Sequence, residues 1–155
     1  VDIIESLLDS PEPLCKALNR YPQTLIHGDW RHANQGLKRE GRPRLVLLDW
    51  QLAAIAPPAV DLGRGLATNS PLFPVTKEEA ISIYKISLIH RLGPRFSESW
   101  WEPQLALGML GSFLQDGWAI VLKANHWQAG KNYRKHWRAD LDWWSEWVRV
   151  GAKWL

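Results

Sequence analysis

At 155 residues, 46% of them hydrophobic and 23% charged, the chain has the length and balance of one globular unit and enough apolar content to bury roughly two-thirds of the surface its unfolded form exposes. A net charge of +3 does not demand a nucleic-acid partner, and a single cysteine, Cys15, leaves neither an internal disulfide nor a thiolate metal site. No apolar run approaches the roughly 18 residues of a membrane span. Asp2, Glu5 and Asp9 stand where a secretion signal would be basic and then apolar, so a cytoplasmic, non-membrane setting is expected.

The chain opens on Val1 rather than Met, as expected of a piece of a longer protein. Residues 13–19 read as a helix, 24–26 as a short strand and 44–48 as an apolar strand. Between the strands, residues 38–43 (Lys-Arg-Glu-Gly-Arg-Pro) have the charge, Gly and Pro of an exposed hairpin turn. From there on the pattern is helical. Pro57 and Pro58 end any strand ladder, and a short helix is expected over 61–68. Thr76 with Glu79 forms a capping box, followed by an apolar stripe of Ala80, Ile81, Ile83, Tyr84, Leu88 and Ile89 that stops before Gly93 and Pro94. Ser99 with Glu102 reads as a second such start, opening a long apolar helix to about His126 whose lack of a polar face predicts a central place. Last, Trp137, Leu141, Trp144, Val148, Ala152 and Leu155 recur on one helical face, with Arg138, Asp142, Glu146 and Arg149 on another.

Eleven tryptophans are unusual, and their bulk fits packing. Lys123, Lys131, Arg134, Lys135 and Arg138 alternate with Trp127, Tyr133 and Trp137, which we read as a solvated helix face over buried indoles, not a nucleic-acid surface. Gly63 and Gly65 lack the third glycine and the preceding apolar strand of a phosphate loop.

The chemistry concentrates in Ile26-His27-Gly28-Asp29-Trp30-Arg31-His32-Ala33-Asn34, followed by Leu47-Leu48-Asp49-Trp50. A loop Asp leaving a short strand can accept a hydroxyl proton as the oxygen attacks, and an Asn a turn later can offer its carbonyl oxygen to a cation. Asp49, at the end of an apolar strand, can reach the same ion across a hairpin. Magnesium needs only one or two carboxylates beside substrate phosphates. Arg31 can neutralise a transferring phosphoryl group.

The pattern H-G-D-x-x-x-x-N, then an apolar strand ending in D-W, then Asp61-Leu62, resembles the aminoglycoside phosphotransferase and choline kinase superfamily over roughly residues 24–68. The resemblance implies an α+β, mainly helical fold: the C-terminal lobe of a protein-kinase-like fold, with a short β hairpin carrying the catalytic loop. It also implies one domain over 1–155, in which 24–68 hold the catalytic and metal-binding segment and 69–155 form a helical acceptor-binding subdomain. Asp29 would be the catalytic base, with ATP as donor and Asn34 and Asp49 as magnesium ligands. His27 and Asp61 would hold the loop in shape, and the acceptor would be a small-molecule alcohol such as an aminoglycoside or choline. For a cationic acceptor, Asp116, Asp140, Asp142 and Glu146 are the acidic candidates.

Two departures qualify the resemblance. Nothing before His27 supplies the nucleotide lobe with its glycine-rich loop and strand lysine, so the 155 residues alone are expected to be inactive or nearly so, with an exposed apolar surface near the strands. Ala56-Pro57-Pro58 also replaces the Gly-Asp-Pro frequent before Asp61. Two other readings compete: a metal-dependent hydrolase with His27, Asp29 and His32 as ligands, and a non-catalytic binding module. His32, Trp30 and Trp50 are open between packing and substrate contact.

Overall fold

Apolar residues three and four apart near the N-terminus, Ile3, Ile4 and Leu7, define one face of a helix. The structure, a computed structural model, describes residues 2–69, 74–125 and 131–155, the last without the side chains of 131–133. In it, α1 (Asp2–Asp9) and α2 (Glu12–Leu18) pack Leu7, Leu14 and Ala17 against Leu107 and Leu110. Only α2 was expected from the sequence.

Four short strands follow: β1 (Thr24–Ile26), β2 (Gln35–Lys38), β3 (Arg44–Leu47) and β4 (Ala54–Ala56). They form two separate two-stranded sheets. β2 and β3 are antiparallel arms on either side of the expected charged turn, with Gln35 opposite Leu47 and Lys38 opposite Arg44. β1 pairs instead with β4, placing Thr24 opposite Ala56 and Ile26 opposite Ala54. The expectation of a hairpin carrying the catalytic loop is therefore corrected. The loop runs from the end of one sheet into the start of the other, so both of its ends are fixed by ladders.

The remainder is α3 (Ala59–Asn69), α4 (Lys77–Leu92), α5 (Glu98–Asn125) and α6 (Lys131–Ala152), and the fold is α+β and mainly helical. α3 starts directly behind Pro57 and Pro58. The hydroxyl of Tyr84 donates to the Pro58 carbonyl at 3.1 Å; burial, with the charge of Asp61, pushes Tyr84 up to about 12, so it stays a donor. At α4 the capping box forms: Thr76 Oγ1 accepts from Glu79 N at 3.1 Å, and Glu79 Oε2 accepts from Thr76 N at 2.8 Å. Ala80, Ile81, Tyr84 and Leu88 pack inward. Ile83 and Ile89 do not, being 55% and 40% exposed, because one helix turn cannot point every residue of that stripe at α3.

α5 is capped by Ser97, not Ser99: the Ser97 hydroxyl accepts from Ser99 N at 3.2 Å, and the helix opens one residue later. It ends at Asn125, and the expected end at His126 lies outside the described residues, as do Trp127 and the side chains of Lys131 and Tyr133. Its first two-thirds are central, with Leu105, Leu107, Met109 and Leu110 buried; farther on, Trp118 is 66% exposed. α5 is long and apolar enough to cross a membrane by length and composition alone, with a window of mean hydropathy 1.4, as a core helix also can be, and half of that window is buried in the fold. The expectation that no stretch reaches that threshold is thus corrected; α3 and α6 cover the apolar face. α6 turns Trp137, Trp144 and Val148 inward and Arg138, Asp142, Glu146 and Arg149 outward, as its periodicity predicts. Lys123 Nζ lies 4.3 Å from the Trp137 ring centre, so that basic residue covers a buried indole.

α3 and α5 cross at glycines. A Cβ on Gly63 would stand 2.8 Å from the Gly108 carbonyl oxygen, too close for any other residue. The core around this crossing contains Leu62, Leu66, Trp101, Met109 and Trp144.

Candidate active site

The loop begins at a turn that only glycine tolerates. Gly28 has φ 78°, and a Cβ there would run into the Leu52 carbonyl. The N–H groups on either side of this turn are held by one carboxylate: His27 N donates to Asp61 Oδ2 at 2.7 Å and Gly28 N to Asp61 Oδ1 at 2.8 Å. Asp61 lies in the first turn of α3. Charge-assisted bonds of this kind are about twice as strong as neutral ones.

His27 is 2% exposed, and both ring nitrogens are engaged. Nε2 donates to the Leu48 carbonyl at 2.8 Å, which leaves Nδ1 to accept from Asp29 N at 3.3 Å. Trp50 packs on the ring, centroids 4.7 Å apart. No lone pair of His27 is left for a metal, and His32 is exposed, so the hydrolase ligand set is not assembled; among the described residues no three His, Cys, Asp or Glu gather as a metal cluster.

Asp29 is 4% exposed and receives four donors. Oδ1 accepts from Arg64 Nε at 3.1 Å and Nη2 at 2.6 Å; Oδ2 accepts from Asn34 Nδ2 at 2.8 Å and pairs with Arg31 Nε at 3.0 Å. Burial by itself would raise this carboxyl, but the hydrogen bonds from Arg64 and Asn34 and the charges of Arg64 and Arg31 outweigh it, and Asp29 sits below the usual carboxylate range. It is ionised at neutral pH. Arg64 also binds the carboxylate of Asp116 on α5 through Nη1.

Asn34 Nδ2 is used twice on Asp29, the second time on its backbone carbonyl at 3.0 Å, so Oδ1 is the end of the amide turned to other partners. Leu48 N donates to Asn34 O at 2.9 Å, continuing the β2–β3 ladder by one step and bringing Asp49 to the same end of the hairpin as Asn34. Asp49 is exposed and has φ 62°, the only non-glycine residue with positive φ among those described. Aspartate is among the few residues that tolerate this region, and here it turns the chain from β3 into the turn at Trp50. An amide oxygen and a free carboxylate at one edge suit a magnesium ion, which Asn34 and Asp49 would hold.

The sequence reading missed Arg64 and Asn69. The signal for Arg64 was its place three residues after Asp61, hence on the same face of α3. Asn69, 4% exposed at the other end of α3, accepts from His32 N at 2.5 Å and donates to Trp30 O at 3.4 Å. Trp30 packs over Gly65, where a Cβ would stand 2.6 Å from the indole. Gly63 and Gly65 thus serve close packing of α3. Of the acidic candidates for a cationic acceptor, Asp116 is taken by Arg64, Asp140 by Lys77 and Glu146 by Arg149, while Asp142 stays exposed.

A buried carboxylate held from α3, an amide a turn later bonded to it, and an exposed carboxylate at the same end of the β2–β3 hairpin make up a polar cluster built on a loop. The sequence model described as the phosphotransferase enzyme family, APH, matches residues 3–92, and the chain belongs to that family. No curated protein matches it.

Proposed function

We propose that the chain is the catalytic lobe of a kinase-like phosphotransferase that moves the γ-phosphoryl group of ATP to a hydroxyl of a small molecule. The observation that carries this reading is the buried, ionised Asp29, fixed by four donors and followed by Asn34. In the transfer, Asp29 takes the acceptor's hydroxyl proton as that oxygen bonds to the γ-phosphorus; the bond from phosphorus to the bridging oxygen breaks, and ADP departs with the electron pair. Magnesium, when bound, neutralises charge on the donor's phosphates. Arg31 has its Nε on Asp29 and a side chain 47% exposed, so its Nη groups are available to neutralise charge on phosphoryl oxygens. His27 and Asp61 keep the loop in shape without touching the reacting atoms.

Leu25 and Ile55, on the β1–β4 sheet, are 62% and 67% exposed, and Leu45, Leu48 and Leu52 nearby are at least half exposed. Such a patch beside a loop supports a covering nucleotide lobe from outside this chain, and turnover by the 155 residues alone is expected to be minimal. Of the acidic candidates for a cationic acceptor, Asp116 is committed to Arg64, while Asp142 stays exposed. The test is magnesium-dependent ATP consumption by the full natural polypeptide bearing this lobe, against aminoglycosides, choline and neutral alcohols, with phosphorylated product identified by mass spectrometry. Acceptor-dependent product, lost in Asp49→Asn, supports the reading. A folded protein that binds ATP and yields no product with any acceptor points to a binding module.

A further inference from the structure

α3 grips the loop at two points one turn apart. Asp61 takes the N–H groups of His27 and Gly28, and Arg64 takes Oδ1 of Asp29 with two nitrogens. The third arm of the guanidinium ends on Asp116. The crossing of the helices sets this reach: Gly63 abuts Ser112 on α5, and Arg64 and Asp116 lie one and four residues farther along their helices. The side chains of Arg64 and Asp116 are only 11% and 19% exposed.

We propose that Arg64 is a positioning residue for Asp29, that Asp116 locks Arg64 in place, and that the pinned Oδ1 makes Oδ2 the atom that takes the acceptor's proton; the last clause rests on the phosphotransferase reading. Oδ1 is saturated from the buried side. Oδ2 is shared between Asn34 and Arg31, and because the Arg31 side chain is 47% exposed, its bond to Oδ2 is the one an arriving hydroxyl can displace. An arginine is required because a planar fork can hold two carboxylates in fixed geometry, whereas a lysine is a point charge on a flexible stem. Burial would lower Arg64, but hydrogen bonds and charge from Asp116 and Asp29 outweigh it and keep it charged.

The test is nitrogen-15 NMR of the arginine side chains at constant neutral pH, with the Arg64 Nε–H resonance assigned by its loss in Arg64→Lys. In Asp29→Asn that N–H is expected to exchange with solvent about tenfold faster, because its charged acceptor is gone. Unchanged exchange overturns the proposal. In Asp116→Asn, hydrogen exchange at Arg64 Nε–H is expected to quicken about tenfold; unchanged exchange removes Asp116 from the account. These readouts need no turnover. Quickened exchange in Asp29→Asn, in a parent protein that transfers no phosphate, leaves the positioning role standing and sinks the phosphotransferase reading. In the active polypeptide, Arg64→Met is expected to lower kcat about 100-fold at unchanged KM for ATP, with partial rescue by Arg64→Lys; unchanged kcat overturns the role in transfer.

Discussion

The loop from His27 to Asn34 and the helical region from α4 to α6 treat buried polar groups in opposite ways. In the loop, the carboxylate of Asp29, the ring of His27 and the amide of Asn34 are bonded from several elements at once. In the helices, both side-chain polar atoms of Gln104, Oδ2 of Asp140 and Nε1 of Trp144 are buried without a protein partner among the described residues. An unpaired buried polar group costs about 1–3 kcal/mol, so a fold spends such groups freely only where geometry is not critical. The loop is over-determined in position, as transfer chemistry needs; the helical core is held by apolar packing and tolerates slack.

Substitutions should therefore have opposite signs in the two regions. Gly28→Ala is expected to cost most, about 3 kcal/mol in urea unfolding, since it strains φ and drives a methyl into Leu52. Asp61→Asn follows at about 2 kcal/mol, because an amide has one acceptor oxygen for two buried N–H donors. Acid lability comes next. Asp29 is held below its ordinary value, so its contribution is fully present above roughly pH 4 and is lost as pH falls through its folded value. Stability followed by circular dichroism below pH 4 should thus decline less steeply in Asp29→Asn than in the parent. At the small end, Gln104→Met, nearly equal in volume, is expected to gain about 1 kcal/mol. A loss there would mean that the helical core is as exacting as the loop, and the contrast would fail.

The parts legible in the sequence are those whose signal is local. Glycine-proline punctuation marked the hairpin turn, the Thr76 and Glu79 pair marked α4, and the Trp137–Trp144–Val148 spacing marked the inner face of α6. What escaped depended on partners far along the chain. β4 is Ala-Ile-Ala with no alternation, and it is a strand only because β1 lies beside it, some thirty residues earlier. β2 contains Gly36 and reads as loop until paired with β3. His27, Asp29, Arg31, Asn34 and Asp61 converge in space, with Asp49 beside them at the end of the hairpin. Arg64 went unseen because its partners, Asp29 and Asp116, are 35 residues before and 52 residues after it. The Ser97 cap was misplaced by two positions because either serine can cap and only the turn geometry chooses.

The most direct test of the account is the rate of phosphoryl transfer from ATP to a responsive acceptor in the full natural polypeptide, compared between the parent and Asp29→Asn. The account predicts that kcat falls about 1,000-fold in Asp29→Asn, within the range for loss of a positioned base, with a folded protein and an unchanged KM for ATP. Transfer at the parental rate would contradict it, since the most tightly held group in the structure would then have no part in the chemistry.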